Sequence, residues 1–195
     1  MIVTHQRERL INAIIYFAKN TKYCGKTKLM KLLYFFDFFY FQQTGKTITG
    51  LEYETWERGP VPRKLYEELS SMKADLSAAI AIVPLEKINL IKAKEKFENE
   101  HFAPKQLQLL EKVAYIFRDA RAEDMTEISH LKHQPWDTTL KHKGMYQKID
   151  YLLAIDGSKE CLCAEDACDI RNEIDEMYEI FGIDKDIERN SLFPQ

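Results

Sequence analysis

One carboxylate in this chain stands where carboxylates are costly. Asp37 is enclosed in sequence by Phe35, Phe36, Phe38 and Phe39. A charged group buried there without a partner would cost several kcal/mol. It must therefore pair, cap a backbone group or reach the surface, and Lys, Arg, a Tyr hydroxyl or the Trp56 indole N–H are the available partners. The residue reads as a hydrogen-bonding anchor rather than a catalytic acid. The second feature is Gly59-Pro60-Val61-Pro62, framed by Tyr53, Trp56 and Tyr66. Glycine permits backbone conformations closed to other residues, and the prolines stiffen the turn. Large amphipathic aromatics beside a rigid turn make a recognition patch, or equally a well-packed corner. The residues alone leave both readings open.

Other candidate chemistries are thinner. Cys161, Cys163 and Cys168 fall within eight residues. Structural zinc takes two pairs of ligands, each pair spaced by two to four residues, and no second pair follows, so these read as ordinary thiols. His130 and His133, with His142 beyond, would place imidazoles on one helix face, yet no carboxylate accompanies them at ligand spacing. His130 reads as a satisfied, partly buried histidine and His133 as solvated. There is no Gly-x-Ser-x-Gly elbow and no cysteine in a setting that lowers its pKa. Gly25-Lys26-Thr27 echoes the end of a phosphate loop, but position 20, where its first glycine would stand, is Asn. A catalytic centre is not expected, nor a metal or cofactor.

The elements that must position these residues follow from periodicity. Thr4 can cap a first helix with a stripe of Leu10, Ile11, Ile14, Ile15, Phe17 and Ala18. Thr27 can cap a second, running to about Gln43 and stopped by Gly45, that is apolar nearly all round and so belongs at the centre of the bundle. Leu51–Trp56 alternates as a short strand, broken by the Gly-Pro turn, after which Pro62 opens a helix to about Lys73. The runs 78–83 and 88–93 suggest a hairpin. Pro104 opens an amphipathic helix to about Ala120; shorter helices are expected over Glu123–Lys132 and Trp136–Lys143. Ile149–Ile155 is strand or helix, and an acidic helix closes the chain over Glu165–Phe181.

With 195 residues, 45% hydrophobic and 30% charged, the chain suits one globular domain with an appendage. The fold class is mainly α (α+β): a compact helical bundle around a central hydrophobic helix, with a small antiparallel β-hairpin. The net charge of -3 argues against a nucleic-acid partner. Residues 1–50 hold 8 Lys/Arg against 2 Asp/Glu, and residues 151–195 hold 4 against 12, an asymmetry that reads as mutual attraction of the two ends. No leader pattern and no apolar run of membrane-spanning length is present, so a cytoplasmic protein is expected.

Lys31-Leu32-Leu33-Tyr34-Phe35-Phe36-Asp37, then Thr44-Gly45, Gly50, Tyr53, Trp56, Gly59-Pro60-Val61 and Tyr66, resemble the Panacea domain, the SocA-like and GepA-type antitoxin family. Phe102-Ala103-Pro104 before Leu109-Leu110-Glu111, and Ser129-His130 with Pro135-Trp136, are similar to its later blocks. The resemblance covers about residues 5 to 155, taken as a domain over 1–155, with 156–195 an acidic helical extension of it. It implies an antitoxin that neutralises a cognate protein toxin, encoded by a neighbouring gene, through direct contact. A protease is a further implied partner, because SocA itself resembles a proteolytic adaptor. Tyr53, Trp56, Gly59, Pro60, Val61 and Tyr66 are then the partner-binding positions, and Tyr34, Asp37, His130 and Trp136 the structural anchors. The alternatives are a phage or mobile-element accessory protein of the same fold, and a metal-dependent hydrolase built on the His and Cys clusters.

Overall fold

Helix α2, Lys26–Thr44, is the axis on which everything else is laid. Its residues Lys28 to Phe38 are buried without a break, so no face is left for water. A helix apolar on all sides is covered on all sides, and α2 contacts α1 (Gln6–Asn20), α5 (Pro104–Ile116), α6 (Ala122–Ser129), and a 3-10 turn at Tyr151–Ala154. It ends as the sequence requires, with Gly45 in the left-handed conformation at φ +67. Its start differs from expectation. The N-cap is Gly25 and Thr27 lies inside the first turn, because the Tyr23–Gly25 backbone is drawn onto a β-strand instead.

The computed structural model describes residues 5–85, 88–132 and 134–154, which lie within the unit Met1–Ile155. Thr4, His133, the Cys161–Cys168 run and the acidic helix expected over 165–181 lie outside the described residues, as does most of the negatively charged end.

Two antiparallel strand pairs complete the bundle. Strand β1, Glu54–Trp56, pairs with β2, Gly59–Val61, in the register Glu54 to Val61, Thr55 to Pro60 and Trp56 to Gly59. The Gly-Pro-Val segment is thus a strand and not the break expected. A two-residue turn, Glu57-Arg58, suffices to close the pair, and Pro60 sits at the Thr55 position of a two-stranded edge, where a missing N–H is tolerated. Helix α3, Arg63–Ser71, follows with Pro62 as N-cap. The short helix α4, Ala74–Ala79, takes in Ala78 and Ala79, the first two residues of the run expected as a strand. Alanines suit either element, and only Ile80 onward is β-branched. Strands β3, Ile80–Leu85, and β4, Ile88–Ala93, then form the expected hairpin. Helix α7, Pro135–Lys143, ends at Gly144 as expected, while α5 and α6 stop short of their expected ends at Ile116 and Ser129.

The core is aromatic. Phe35 stacks on Phe117 at 4.8 Å, Phe38 on Tyr151 at 4.3 Å, and Phe17 meets Phe36 edge-on at 6.0 Å. Such pairs add about 0.5–1.5 kcal/mol each beyond their burial.

Candidate functional site

Asp37 is fully buried and accepts from four donors. Its Oδ1 takes the backbone N–H groups of Ile48 at 3.0 Å and Thr49 at 2.9 Å; its Oδ2 takes the Thr49 hydroxyl and the Tyr53 hydroxyl, the latter at 3.0 Å. Burial pushes the carboxyl pKa up, and these four bonds oppose the shift. The Tyr hydroxyl is one of the partners expected; the Trp56 indole is not, since it donates to Glu54 at 3.1 Å. Asp37 thereby clamps the Ile48-Thr49 loop and Tyr53, the residue before β1, onto α2.

Tyr34 is buried one turn before Asp37, and its ring meets Tyr53 at 5.6 Å and Phe38 at 4.3 Å. Burial raises its pKa, and the Trp136 backbone hydrogen-bonds its hydroxyl. Trp136 in turn donates its indole N–H to the Trp56 carbonyl at 3.2 Å, and stacks flat on His130 at 3.7 Å. The anchor positions Tyr34, His130 and Trp136 are therefore brought together beside the β1–β2 pair, while Asp37 holds the segment 48–53 that leads into it. His142 is exposed on the last turn of α7, and no convergent metal-ligand set includes it or His130 among the described residues.

The partner-binding positions divide. Tyr53 is fully buried with its hydroxyl on Asp37, so it presents no surface; an alternating strand must turn every second residue inward, and Tyr53 is on the inward side. Gly59 and Pro60 are buried as well, Val61 and Trp56 are half-buried, and Tyr66 is 38% exposed. What reaches the surface is a row. Trp56 lies between Tyr66 at 5.2 Å and Tyr146 at 5.9 Å, and the Lys26 ammonium stands 5.7 Å over the Tyr66 ring.

Tyr146 was not legible as part of this site. It is 64% exposed and holds a left-handed backbone at φ +58. Its N–H donates to the Thr55 carbonyl at 2.6 Å, and Thr55 Oγ1 donates to the Gly144 carbonyl at 2.8 Å. The segment after α7 is thus laced to β1, and a short-range reading had no means of seeing it.

Beneath the turn lies a second unread feature. Lys31 is 1% exposed, and its Nζ donates to the Arg58 carbonyl at 2.5 Å. It faces no carboxylate among the described residues, and burial lowers its pKa to about 7. Gly59, at φ +99, makes room for it: a Cβ there would stand 1.8 Å from Lys31 Nζ, 2.8 Å from Ser129 Oγ and 2.9 Å from His130 Nε2. That His130 nitrogen is buried with no partner, and burial, then the neighbouring Lys31 charge, lowers its pKa to about 4. His130 is therefore neutral at pH 7. The turn is held from below by two long side chains, Lys31 on the Arg58 carbonyl and Trp136 on the Trp56 carbonyl. Its glycine is required by the first of them.

This geometry belongs to a chain that a family model, the antitoxin SocA-like Panacea domain, matches over residues 29–137. The match spans more than half of the sequence, so the chain belongs to that family, and its role is of the antitoxin type. No curated protein and no solved structure matches it. Family membership points to a non-enzymatic role. No helix among the described residues is long and apolar enough to cross a membrane.

Proposed function

We propose that this protein neutralises a cognate protein toxin by direct contact, and that the contact is centred on the row Tyr66, Trp56 and Tyr146 beside the Gly59-Pro60-Val61 strand. The observation that carries the reading is the rigid presentation of these rings. The turn backbone is fastened at the Trp56 and Arg58 carbonyls, so little conformational freedom is lost when a partner settles on it. Tyrosine and tryptophan on a fastened frame are the usual makings of a binding hot spot. Tyr53 enters this reading only as the anchor that sets β1.

The test is co-expression with the product of the adjacent gene. Wild type restores growth and co-purifies; Trp56→Ala keeps its melting curve but loses roughly 2 kcal/mol of affinity, about thirtyfold. Absence of rescue and of any complex for wild type ends the toxin reading. A Trp56→Ala protein that binds normally moves the contact elsewhere. Delivery of the toxin to a protease, the finer form of the reading, is separated by toxin half-life, which shortens only if the antitoxin is an adaptor.

A further inference from the structure

The β3–β4 hairpin exposes one face that the core does not use. Directly opposed residues share a face, so Ile80 with Ala93 and Ile82 with Ile91 line one side, and Val83 with Leu90 and Leu85 with Ile88 line the other. The first side is the inner one, with Ile80 and Ile91 each 1% exposed. On the other, Val83 is 43%, Leu85 49% and Ile88 44% exposed, with Leu90 half-buried beside them. An exposed apolar cluster of this kind marks an interaction site more often than chance.

The free edge of β3 tells what cannot dock there. The Ile91 N–H donates to the Cys24 carbonyl at 2.8 Å, so Ile91 turns its backbone away from β3. Its opposite number Ile82 turns outward too, and so by alternation do Ile80 and Pro84. The Ile80 N–H is already spent on the Leu76 carbonyl, and Pro84 has none. One outward donor remains, at Ile82. An edge so blunted does not accept an added strand.

Charge narrows the occupant further. Lys92 and Lys94 continue the exposed face, and Lys26 stands at its flank, next to Gly25, whose backbone bridges to Leu90. Lys94 donates to the Ser77 carbonyl at 2.5 Å and Lys26 to the Ser70 hydroxyl at 3.2 Å; none of the three meets a carboxylate among the described residues. Because Lys26 also stands over Tyr66, this face runs on from the aromatic row.

We infer that the outward face of the β3–β4 hairpin is a docking surface for an amphipathic helix of a protein partner, its apolar stripe on Val83, Leu85, Ile88 and Leu90 and its acidic flank on Lys26, Lys92 and Lys94. Helix-in-groove recognition supplies such contacts without asking for main-chain bonds.

The test needs no toxin. Backbone amide NMR spectra of the full chain are followed while adding a Leu/Glu amphipathic peptide of about 18 residues, long enough for five turns, and separately its Leu/Lys counterpart. Shifts should concentrate on residues 81–85 and 88–94, with the acidic peptide binding at least tenfold more tightly. Leu85→Asp with Val83→Asp, both at exposed positions, should abolish the shifts and leave the melting temperature in place. Equal response to both peptides, or shifts confined to other elements, overturns the proposal. So does binding that survives the double variant. Hairpin shifts on raising protein concentration without peptide would instead make a second copy the occupant, and would overturn it as well.

Discussion

Asp37 and Lys31 are buried by the same helix, less than two turns apart, and their surroundings are opposite. Around Asp37 four donors are aimed at the carboxylate: two backbone N–H groups, a threonine hydroxyl and a tyrosine hydroxyl. Around Lys31 a single carbonyl accepts, while an imidazole nitrogen close by is left without a partner. Lys28, one turn earlier, shows that the helix can satisfy a buried ammonium. Its Nζ donates to the carbonyls of Lys22 at 2.8 Å, Arg118 at 3.2 Å and Ala120 at 2.6 Å. Lys28 and Asp37 are built as anchors. Lys31 is an under-compensated charge directly beneath the proposed contact turn.

The largest effect is expected where satisfaction is complete. Asp37→Ala strands the Ile48 and Thr49 N–H groups and the Tyr53 hydroxyl, and should lower stability by about 3–4 kcal/mol, read as the urea midpoint at constant slope. A midpoint close to that of wild type would mean that the loop is held by something other than the carboxylate.

Gly59→Ala should come next. The substitution imposes a side chain at φ +99 and drives its Cβ into the Lys31 ammonium, for a loss of about 2–3 kcal/mol. Because strain and clash are separable, the double variant with Lys31→Ala should recover at least about 1 kcal/mol of the summed losses. Strict additivity would show that the glycine serves only the backbone angle.

Lys31→Met isolates the charge through pH. An unfolded lysine titrates near 10.5 and the folded Lys31 near 7, so between those values the unfolded chain binds more protons and wild-type stability rises with pH. Below about pH 7 both states are protonated and the penalty is fully present. Lys112, lowered to about 8 by burial, acts in the same direction, which is why the variant is compared with wild type and not read alone. The stability of Lys31→Met relative to wild type should be most favourable near pH 6 and should fall steadily toward pH 10. A difference flat in pH would return Lys31 to an ordinary, fully charged state.

The same contrast explains what could be read from the residues. Asp37 was legible because an acid among phenylalanines violates a local rule, and rule-breaking is visible in a one-dimensional string. Helix α2 was legible because apolar on every side has one meaning, and the β3–β4 pair because two β-rich runs flank a short turn. Lys31 was not, since a lysine near the start of a helix that opens Lys26-Thr27-Lys28 can reach water along its own stem, and breaks no rule until Gly59 and Ser129-His130 are folded over it. The Gly-Pro-Val strand was missed because proline and glycine argue for a break locally, while Thr55 and the segment after α7 override them from about 90 residues away. Tyr53 shows the opposite failure: its type suited a hot spot, but strand alternation aimed it inward.

The smallest stability change should fall at the far end of the aromatic row, and it separates display from packing most cleanly. Tyr146 is 64% exposed, touches Trp56 by its ring at 5.9 Å and sits at φ +58. A packed corner residue would lose contacts on substitution; a displayed residue in a left-handed conformation gives up little and sheds some backbone strain when replaced by glycine. Tyr146→Gly should therefore shift stability by no more than about 0.5 kcal/mol in either direction. Its backbone bond to the Thr55 carbonyl needs no side chain, so the strand beneath should stay in place, as amide exchange at Thr55 and Gln147 would report. Partner affinity, in contrast, should drop at least tenfold, since the row loses one of its three rings. A loss of 2 kcal/mol or more in stability would make Tyr146 part of the corner, and the contact surface would then shrink to Trp56 and Tyr66.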